Sequence, residues 1–454
     1  MKYPAIDHDS DRSTEAVLII TYYWPPSGGA GVQRFLKFVK YLPDCGLKPV
    51  VLTCANPSYP LLDPSLEEDI PEGTAVYLAR TVEPFSLYSS LSGKPLDVIA
   101  SPSRSLGTNQ SGVSQKLIQW IRANIFIPDA RAGWIPFARK KALELIRQHS
   151  ISSVITTGPP HSTHYIGKYL KKKAGIRWIA DFRDPWTDIH YNQVLPRTCI
   201  TRWIDRKLEA SVLTAADEIT VTAPGTARYF SEKVDRSYHV ITNGFDPDDF
   251  GPPPAADKKE ASFVIRHIGS IMETSFPTSL INVLSEPEFD KCTFEFIGGI
   301  HPGLKEKAAQ PELKKVLRFT PYLPHKEAVK KMQEADINVV IVHQSTDSRI
   351  LIPGKVFDYL KAGKPILVLG PPDGDAASIV HECRAGKAFD YEDINGIRKW
   401  LLDCIQAKKD RAVSSPDVPA VMEYARPALT RKLAGVLLGP SGEKKPPESA
   451  AYQP

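Results

Sequence analysis

The sequence offers no cysteine pair spaced to hold a metal or run a redox cycle. Cys45, Cys54, Cys199, Cys292, Cys383 and Cys404 are scattered, with no CxxC. That spacing excludes a zinc ribbon or a disulfide framework and predicts free thiols in a reducing compartment. No apolar run exceeds the length of a strand, so no membrane-spanning helix is expected. The opening residues, MKYPAIDHDSDRSTE, lack the apolar core of a signal peptide, and together these features predict a cytoplasmic protein. An excess of charge of one sign is also lacking. A net charge of +5 over 454 residues is far from a nucleic-acid-binding composition, although it suits phosphorylated ligands or an anionic membrane surface. Nucleotide fingerprints are missing too. Gly28, Gly29 and Gly31 do not match GxGxxG, and no Gly-Lys-Ser/Thr follows them, which weakens dinucleotide and P-loop readings.

What is present is ordinary in bulk and informative in order. With 42% hydrophobic and 24% charged residues, the chain is globular and long enough for two separate cores. Strand, loop and helix patterns alternate through residues 15–246 and again through 262–424. Between them, Asp248-Asp-Phe-Gly-Pro-Pro-Pro-Ala-Ala-Asp-Lys-Lys marks a linker over 247–261. The expected architecture is α/β: two doubly wound, Rossmann-like domains facing each other across a cleft that holds the site. A terminal helix covers 425–438, and polar segments 1–14 and 439–454 are expected to be disordered. The stretch 85–113, rich in Ser, Gly and Pro, reads as irregular. The following segment reads as two helices broken at Ile127-Pro128-Asp129, with its Trp and Phe residues in the core.

Three stretches carry candidate chemistry. After the strand Ala16–Thr21 comes YYWPPSGGAG and a helix with Val32, Phe35, Leu36, Val39 and Leu42 on one face. There Gly29 and Gly31 allow close backbone approach to an anion, or simply make a tight turn. A second strand, Ser153–Thr157, leads into GPPHSTHYIGKYLKK, where His161 and His164 lie near a helix start. Two His at i, i+3 without a third ligand do not make a metal site, so no metal is expected, and His161 is the candidate for hydrogen-bonding a sugar or phosphate. A third strand runs into Asp181-Phe-Arg-Asp-Pro-Trp-Thr-Asp, which puts Asp181, Arg183 and Asp184 at a strand's carboxyl end, where open α/β sheets hold ligands. An Asp–Arg pair that only fixes the loop is the competing reading.

In the second half, ILIPGKVFDYLKAGKPILVLGP reads as loop, helix, turn and buried strand. Val356, Phe357 and Leu360 share one helix face, Lys355, Asp358 and Ala362 the other, and Gly363 ends the helix. The helix start would present free N–H groups to a phosphate, Lys355 would add charge, and Asp358 could accept from a ribose diol. A solvated Lys and Asp on a surface helix is the plainer alternative.

This stretch resembles the P-x-K-x-x-E-Y-L-x-x-G-K-P segment of retaining nucleotide-sugar glycosyltransferases of family 4, which have the GT-B fold. TYYWPPSGGAGVQR resembles that family's opening loop, DFRDPWTD a segment of its bacterial surface-polysaccharide enzymes, ITNGFDPDDF its interdomain hinge, and EYARPALTRKLAGVL its terminal helix, which packs back on the N-terminal domain. The resemblance implies a nucleotide-diphosphate sugar donor, a glycan or lipid-linked acceptor, retention at the anomeric carbon, and no cofactor or metal. It places Gly29, Gly31, Gly269, Lys355 and Asp358 on the donor, and His161, Asp181, Arg183 and Asp184 near the transferred sugar and acceptor. The chain departs from the pattern at three points. Asp358 stands where Glu is usual, Ile350 where the first acid of E-x7-E would fall, and Ser270 where an Arg usually follows the glycine. Those departures keep two alternatives open, a GT-B-shaped binding or scaffold subunit and a nucleotide-sugar epimerase. Lys168–Lys173 is the candidate for peripheral contact with the inner face of the membrane.

Overall fold

In a computed structural model of the chain, residues 15–57, 59, 62–82, 120–121, 123–189, 195–252, 262–271, 275–301, 303–304, 306, 311–412 and 415–439 are described. The predicted disordered ends (1–14 and 439–454, apart from the described Gly439), the irregular 85–113 stretch, the linker beyond residue 252 and residues 272–274 lie outside them. Two units emerge. Unit 1 takes the chain to Thr222, then Tyr229–Ile241 and Thr430 onward, while unit 2 takes Ala223–Arg228 and Thr242–Leu429.

Unit 1 is built on β1 (Glu15–Ile20), β2 (Leu47–Cys54), β3 (Ala75–Ala79), β4 (Ser153–Gly158), β5 (Arg177–Phe182), β6 (Glu218–Val221) and β7 (His239–Val240). They pair in parallel in the order β3-β2-β1-β4-β5-β6-β7. Its helices include α1 (Ala30–Tyr41), α2 (Ile135–Gln148), α3 (His164–Ala174), α4 (Cys199–Ala215) and α5 (Pro224–Ser231), the last shared with unit 2. Strands β1, β4 and β5 are buried almost throughout, because helices cover both faces of a parallel sheet. Leu18, Ile20, Leu52, Val154, Ile166 and Leu170 are all at 0% exposure in one cluster, each contributing roughly 1.5–3 kcal/mol by burial.

Unit 2 repeats the scheme with β8 (Phe263–Ile268), β9 (Cys292–Ile297), β10 (Leu317–Thr320), β11 (Ile337–Ile341), β12 (Ile366–Leu369) and β13 (Gly386–Phe389). The order is β10-β9-β8-β11-β12-β13, again all parallel. Around this sheet stand α6 (Thr278–Leu284), α7 (Pro311–Lys314), α8 (His325–Glu334), α9 (Lys355–Ala362), α10 (Asp375–Glu382), α11 (Ile394–Lys409) and α12 (Val418–Met422). Gly363, at φ +71, closes α9 in the left-handed region that a side chain would disfavour. The last helix, α13 (Arg426–Leu438), joins unit 1 from Thr430, where Val436 and Leu437 accept hydrogen bonds from Arg177 Nη2 (3.1 Å) and Ser153 Oγ (3.3 Å).

The expectation for the aromatics around residues 120–137 needs correction. Trp134 is buried under β3 and donates to the Ala79 carbonyl (3.2 Å), but Trp120 is 44% exposed. Composition cannot tell which Trp finds a sheet to lie on.

Each sheet has one point where the strand order reverses direction, between β1 and β4 in unit 1 and between β8 and β11 in unit 2. Loops leaving the carboxyl ends of such strands diverge and leave a crevice, which is where doubly wound sheets bind ligands. The candidate residues gather on these four loops and on the one after β5.

Candidate functional site

In unit 1 the loop after β1 ends at Gly29, which caps α1 at φ +107 with open space around it. Its backbone, not a neighbour, calls for glycine. Gly31 is different. A Cβ there would lie 1.3 Å from Arg183 Nη1, so its missing side chain makes room for that guanidinium. Arg183 leaves the carboxyl end of β5 and donates through Nε to Gly158 O (3.1 Å) and through Nη2 to Pro159 O, while its own carbonyl accepts from Thr222 Oγ1 (2.6 Å). It therefore ties the loops after β1, β4 and β5 together. Burial pushes its guanidinium down from the ordinary value, opposed by Asp184 and Asp181.

The structure corrects the expectation for Asp181. Rather than lining an acceptor surface, it is fully buried, with Oδ1 accepting from Arg34 Nη2 (2.8 Å) and Thr220 Oγ1 (2.7 Å) and Oδ2 from Thr157 Oγ1 (2.9 Å). Burial raises its pKa, but the Arg34 charge and these hydrogen bonds outweigh that and hold the carboxyl below its usual range. The Asp–Arg pair that fixes this region is Asp181 with Arg34. Asp184, three residues on, stays partly exposed.

His161 opens the turn before α3. Its ring stacks on Trp186 (centroids 4.9 Å apart, planes 4° off parallel) and is buried, and neither nitrogen has a hydrogen-bond partner among the described residues. Such a buried polar edge is costly unless something completes it. Burial, with His164, Arg183 and Arg197 adding to it, drives its pKa well below the ordinary value and keeps the ring neutral. His164 is likewise pushed down to about 3 by burial, and its Nδ1 lies 3.0 Å from Thr156 Oγ1. Both rings close on Gly158, where a Cβ would meet His164 Nε2 at 2.7 Å and His161 Nδ1 at 2.9 Å. Asp129 holds the turn, accepting from Ser162 N (2.8 Å), Ser162 Oγ (2.7 Å) and Arg131 N (2.9 Å). The described residues contain no cluster of three or more metal-ligating side chains.

In unit 2 the strand β8 ends at Gly269, φ +132. Lys355, the first residue of α9, reaches this turn, and a Cβ on Gly269 would stand 2.5 Å from its Nζ. Behind it, His267 Nε2 lies 3.1 Å from Lys355 Nζ and Nδ1 lies 2.9 Å from Val339 O. Burial, then the Lys355 charge, hold His267 well below its ordinary pKa. Burial also lowers Lys355 to about 8. Tyr359 pins the next turn of α9, its hydroxyl accepting from Ile268 N (2.8 Å). Asp358, between Lys355 and this tyrosine, is partly exposed in the first turn.

Two other cations near this turn in the sequence, Arg266 and Arg349, are used elsewhere. Arg266, on the opposite face of β8, donates to Glu295 Oε2 (2.7 Å) and Lys331 O (3.0 Å). Arg349 is exposed and pairs with Asp373 (3.1 Å). Ile350 is apolar packing, since a Cβ on Gly225 would lie 2.2 Å from its Cγ2. A pocket lined by Phe263, Asp336, Arg384, Trp400 and Lys408 opens at the amino-terminal ends of unit 2's strands, the wrong end for these residues.

Sequence reasoning missed Asp129, Arg34, Trp186 and His267. Each acts on a partner far along the chain, although Trp186, inside DFRDPWTD, and Arg34, at the end of TYYWPPSGGAGVQR, lie in stretches the sequence had marked. For His267 a signal existed: a polar residue in the buried strand FVIRHIG, on the face opposite Arg266.

No family model matches the chain, and no curated protein matches it. Solved structures do. A glycosyltransferase from Rickettsia africae superposes with a TM-score of 0.59 at 11% identity, covering 94% of this chain and 98% of that one. HepE from Anabaena, in complex with UDP and glucose, gives 0.59 at 15%, covering 93% and 98%. TarM from S. aureus, in complex with Fondaparinux, alpha-GlcNAc-glycerol and UDP, gives 0.57 at 10%, covering 94% and 100%. At such identities the likeness establishes the fold, which is GT-B with two Rossmann-like units.

Proposed function

We propose that this chain transfers a sugar from a nucleotide-diphosphate donor to a glycan or lipid-linked acceptor. On this reading it works in the manner of glycosyltransferase family 4: with retention, without metal or cofactor, in cell-surface polysaccharide synthesis. One observation carries the reading. An ammonium group is seated by His267 at a left-handed glycine turn, beside the start of α9 and at the point where unit 2's strand order reverses. Such a place suits a diphosphate. Lys355 supplies charge, and the Ser270 backbone and the amino end of α9 supply N–H donors, the Gly269 N–H being taken by Ile297 O (2.8 Å).

Catalysis would then rest on stabilising the leaving diphosphate, an electrostatic task. Lys355, partly stripped of water, interacts more strongly with an anion than an exposed lysine does. Asp358 would accept from the ribose diol. In unit 1, the unpartnered edge of His161 would bond a hydroxyl of the transferred sugar, and Asp184 would orient the acceptor, with Arg183 and Asp181 holding their loops. Gly29 would let the first loop approach the donor. The enzyme would work at the cytoplasmic face of the membrane; no helix among the described residues is long and apolar enough to cross it.

Thermal stabilisation by UDP-, GDP-, ADP- and dTDP-sugars tests the reading. A ligand at a hundred times its Kd adds about 2.7 kcal/mol. A shift with one base, lost in Lys355→Ala and Asp358→Ala, is expected, and no shift with any donor would overturn it. A second reading, a binding subunit without transferase activity, is favoured by Ile350, which packs against Gly225 where the family carries an acid. Release of free nucleotide diphosphate only when acceptor is added separates a transferase from both a binding subunit and an epimerase.

A further inference from the structure

Helix α4 carries its charges unevenly. Its two acids face inward: Asp205 and Glu209 are each 1% exposed and paired with Arg197 and Lys233. Its outer face carries Arg206 and Lys207, both exposed, and no carboxylate, and the exposed Arg202 stands at the flank of that face, donating to Arg197 O (3.0 Å). Among these cations stand two large apolar side chains in water, Ile200 at 71% exposure and Trp203 at 61%. At 100° per residue, Ile200, Trp203, Arg206 and Lys207 fall within an arc of about 120°.

A second segment is fastened to the same end of the helix. Asn124 donates to Pro196 O (2.8 Å), and its Oδ1 accepts from Thr198 N and Thr201 Oγ1, both at 2.8 Å. This holds Ile125 (61% exposed) and Trp120 (44% exposed) beside the start of α4. Two tryptophans and two isoleucines are thus exposed within about a turn of Asn124 or Thr201. Soluble surfaces rarely gather such residues.

We propose that this face, the outer side of α4 with Trp120 and Ile125 beside it, docks on a bilayer surface bearing anionic phospholipid. Indole rings and isoleucines would enter the headgroup region, and Arg202, Arg206 and Lys207 would meet phosphates. Charge complementarity selects this occupant, because the face shows cations alone and both acids of the helix are turned away. The lysine run Lys168–Lys173 fits less well. Lys171 is bound to Asp217 (2.7 Å) and Ala215 O (2.8 Å), and no large apolar side chain on α3 is exposed. The proposal gives the membrane contact of the preceding reading a surface, and rests on that reading only for why a lipid-linked acceptor would be near.

The test is flotation of the full chain with vesicles of phosphatidylglycerol and phosphatidylcholine, against phosphatidylcholine alone, followed also by tryptophan fluorescence. Flotation with the anionic vesicles and a blue shift are expected. The Ile200→Ser/Trp203→Ser variant should lower partitioning about tenfold or more, as should Arg202→Glu/Arg206→Glu, with the melting temperature unchanged. Lys172→Glu/Lys173→Glu should leave it intact. No flotation of the wild type, or flotation of both α4 variants at the wild-type level, overturns the proposal. So does concentration-dependent self-association that the Ile200→Ser/Trp203→Ser variant abolishes, since the face would then cover a second copy. Stabilisation by a nucleotide sugar, measured on the same variants, reports separately on the transferase reading and should not change.

Discussion

His267 and Lys355 form a one-way hydrogen bond. The Val339 carbonyl only accepts, so His267 Nδ1 must hold the ring's proton and Nε2 must accept from the Lys355 ammonium, 3.1 Å away. A neutral imidazole thus aims a cation at the Gly269 turn without neutralising it. On the proposed reading, that relationship, not the lysine alone, would let the turn hold a diphosphate.

Lys355 should make nucleotide-sugar affinity fall as the solution turns alkaline. Its pKa is about 8, and only the protonated amine attracts a diphosphate that keeps its charge over this range. Above that value affinity should fall by up to about tenfold per pH unit, measured by calorimetry from pH 7 to 9.5. Lys355→Met should bind weakly with a flat profile. His267→Gln, whose amide can both donate and accept, should bind nearly as the wild type, and His267→Phe should not. Stability runs the other way. The folded pKa is depressed, so the unfolded chain holds the extra proton between about 8 and 10.5, and this group's contribution rises with pH there.

Gly31→Ala should cost about 1–3 kcal/mol in urea unfolding, because the new methyl occupies the place of Arg183 Nη1 and the guanidinium must leave the Gly158 and Pro159 carbonyls. The cost should shrink in an Arg183→Ala background, and additive costs would sink the contact. At Gly29, open space with φ +107 predicts backbone strain alone and no coupling to Arg183.

Removing one member of the Arg34–Asp181 pair should be severe. Asp181→Leu leaves a guanidinium in a site at 0% exposure and should cost about 3–5 kcal/mol, whereas Arg34→Met/Asp181→Leu together should cost less. The folded pKa of Asp181 is depressed, so its contribution is whole above the unfolded value near 3.9 and is lost as pH falls through the lower folded value. A wild-type acid-unfolding curve that matches the double variant below pH 4 would argue against this.

Acid should weaken the fold well before Asp181 titrates. His164 falls from 6.5 to about 3, and His161 also lies well below its ordinary value. Below pH 6.5 the unfolded chain takes protons that the folded rings refuse, so stability should drop by about 1.4 kcal/mol per pH unit for each ring. Denaturation midpoints from pH 7 to 4 should flatten by one ring's share in His164→Asn. An unchanged slope would mean the ring protonates in place.

Much of the plan was legible because it is written in neighbouring residues. The Gly363 helix stop, the apolar strands and the helix opening at Lys355 follow from backbone sterics and periodicity over a few positions, and these appear where expected. The alternation of those patterns, twice over, was enough for two doubly wound units. Resemblance named Lys355 and Asp358, and the fold set them on the turn of α9 that local pattern had assigned.

Partner choice was not legible. Arg34 lies 147 residues from Asp181, Lys355 lies 88 from His267, and Asp129 lies 33 from Ser162. DFRDPWTD offered two acids around one arginine, and the fold gave the first acid a different arginine, because a side chain at a buried strand end must take the donor that the covering helix, here α1, presents to it. Trp120 and Trp134 look alike in sequence, yet one lies under β3 and the other in water. The order of local elements is a property of the chain, since it needs only backbone sterics and hydrophobic period. Which buried polar group meets which, and which aromatic stays outside, belongs to the folded molecule, because desolvation penalises every unmatched group and only the assembled sheet decides who stands opposite whom.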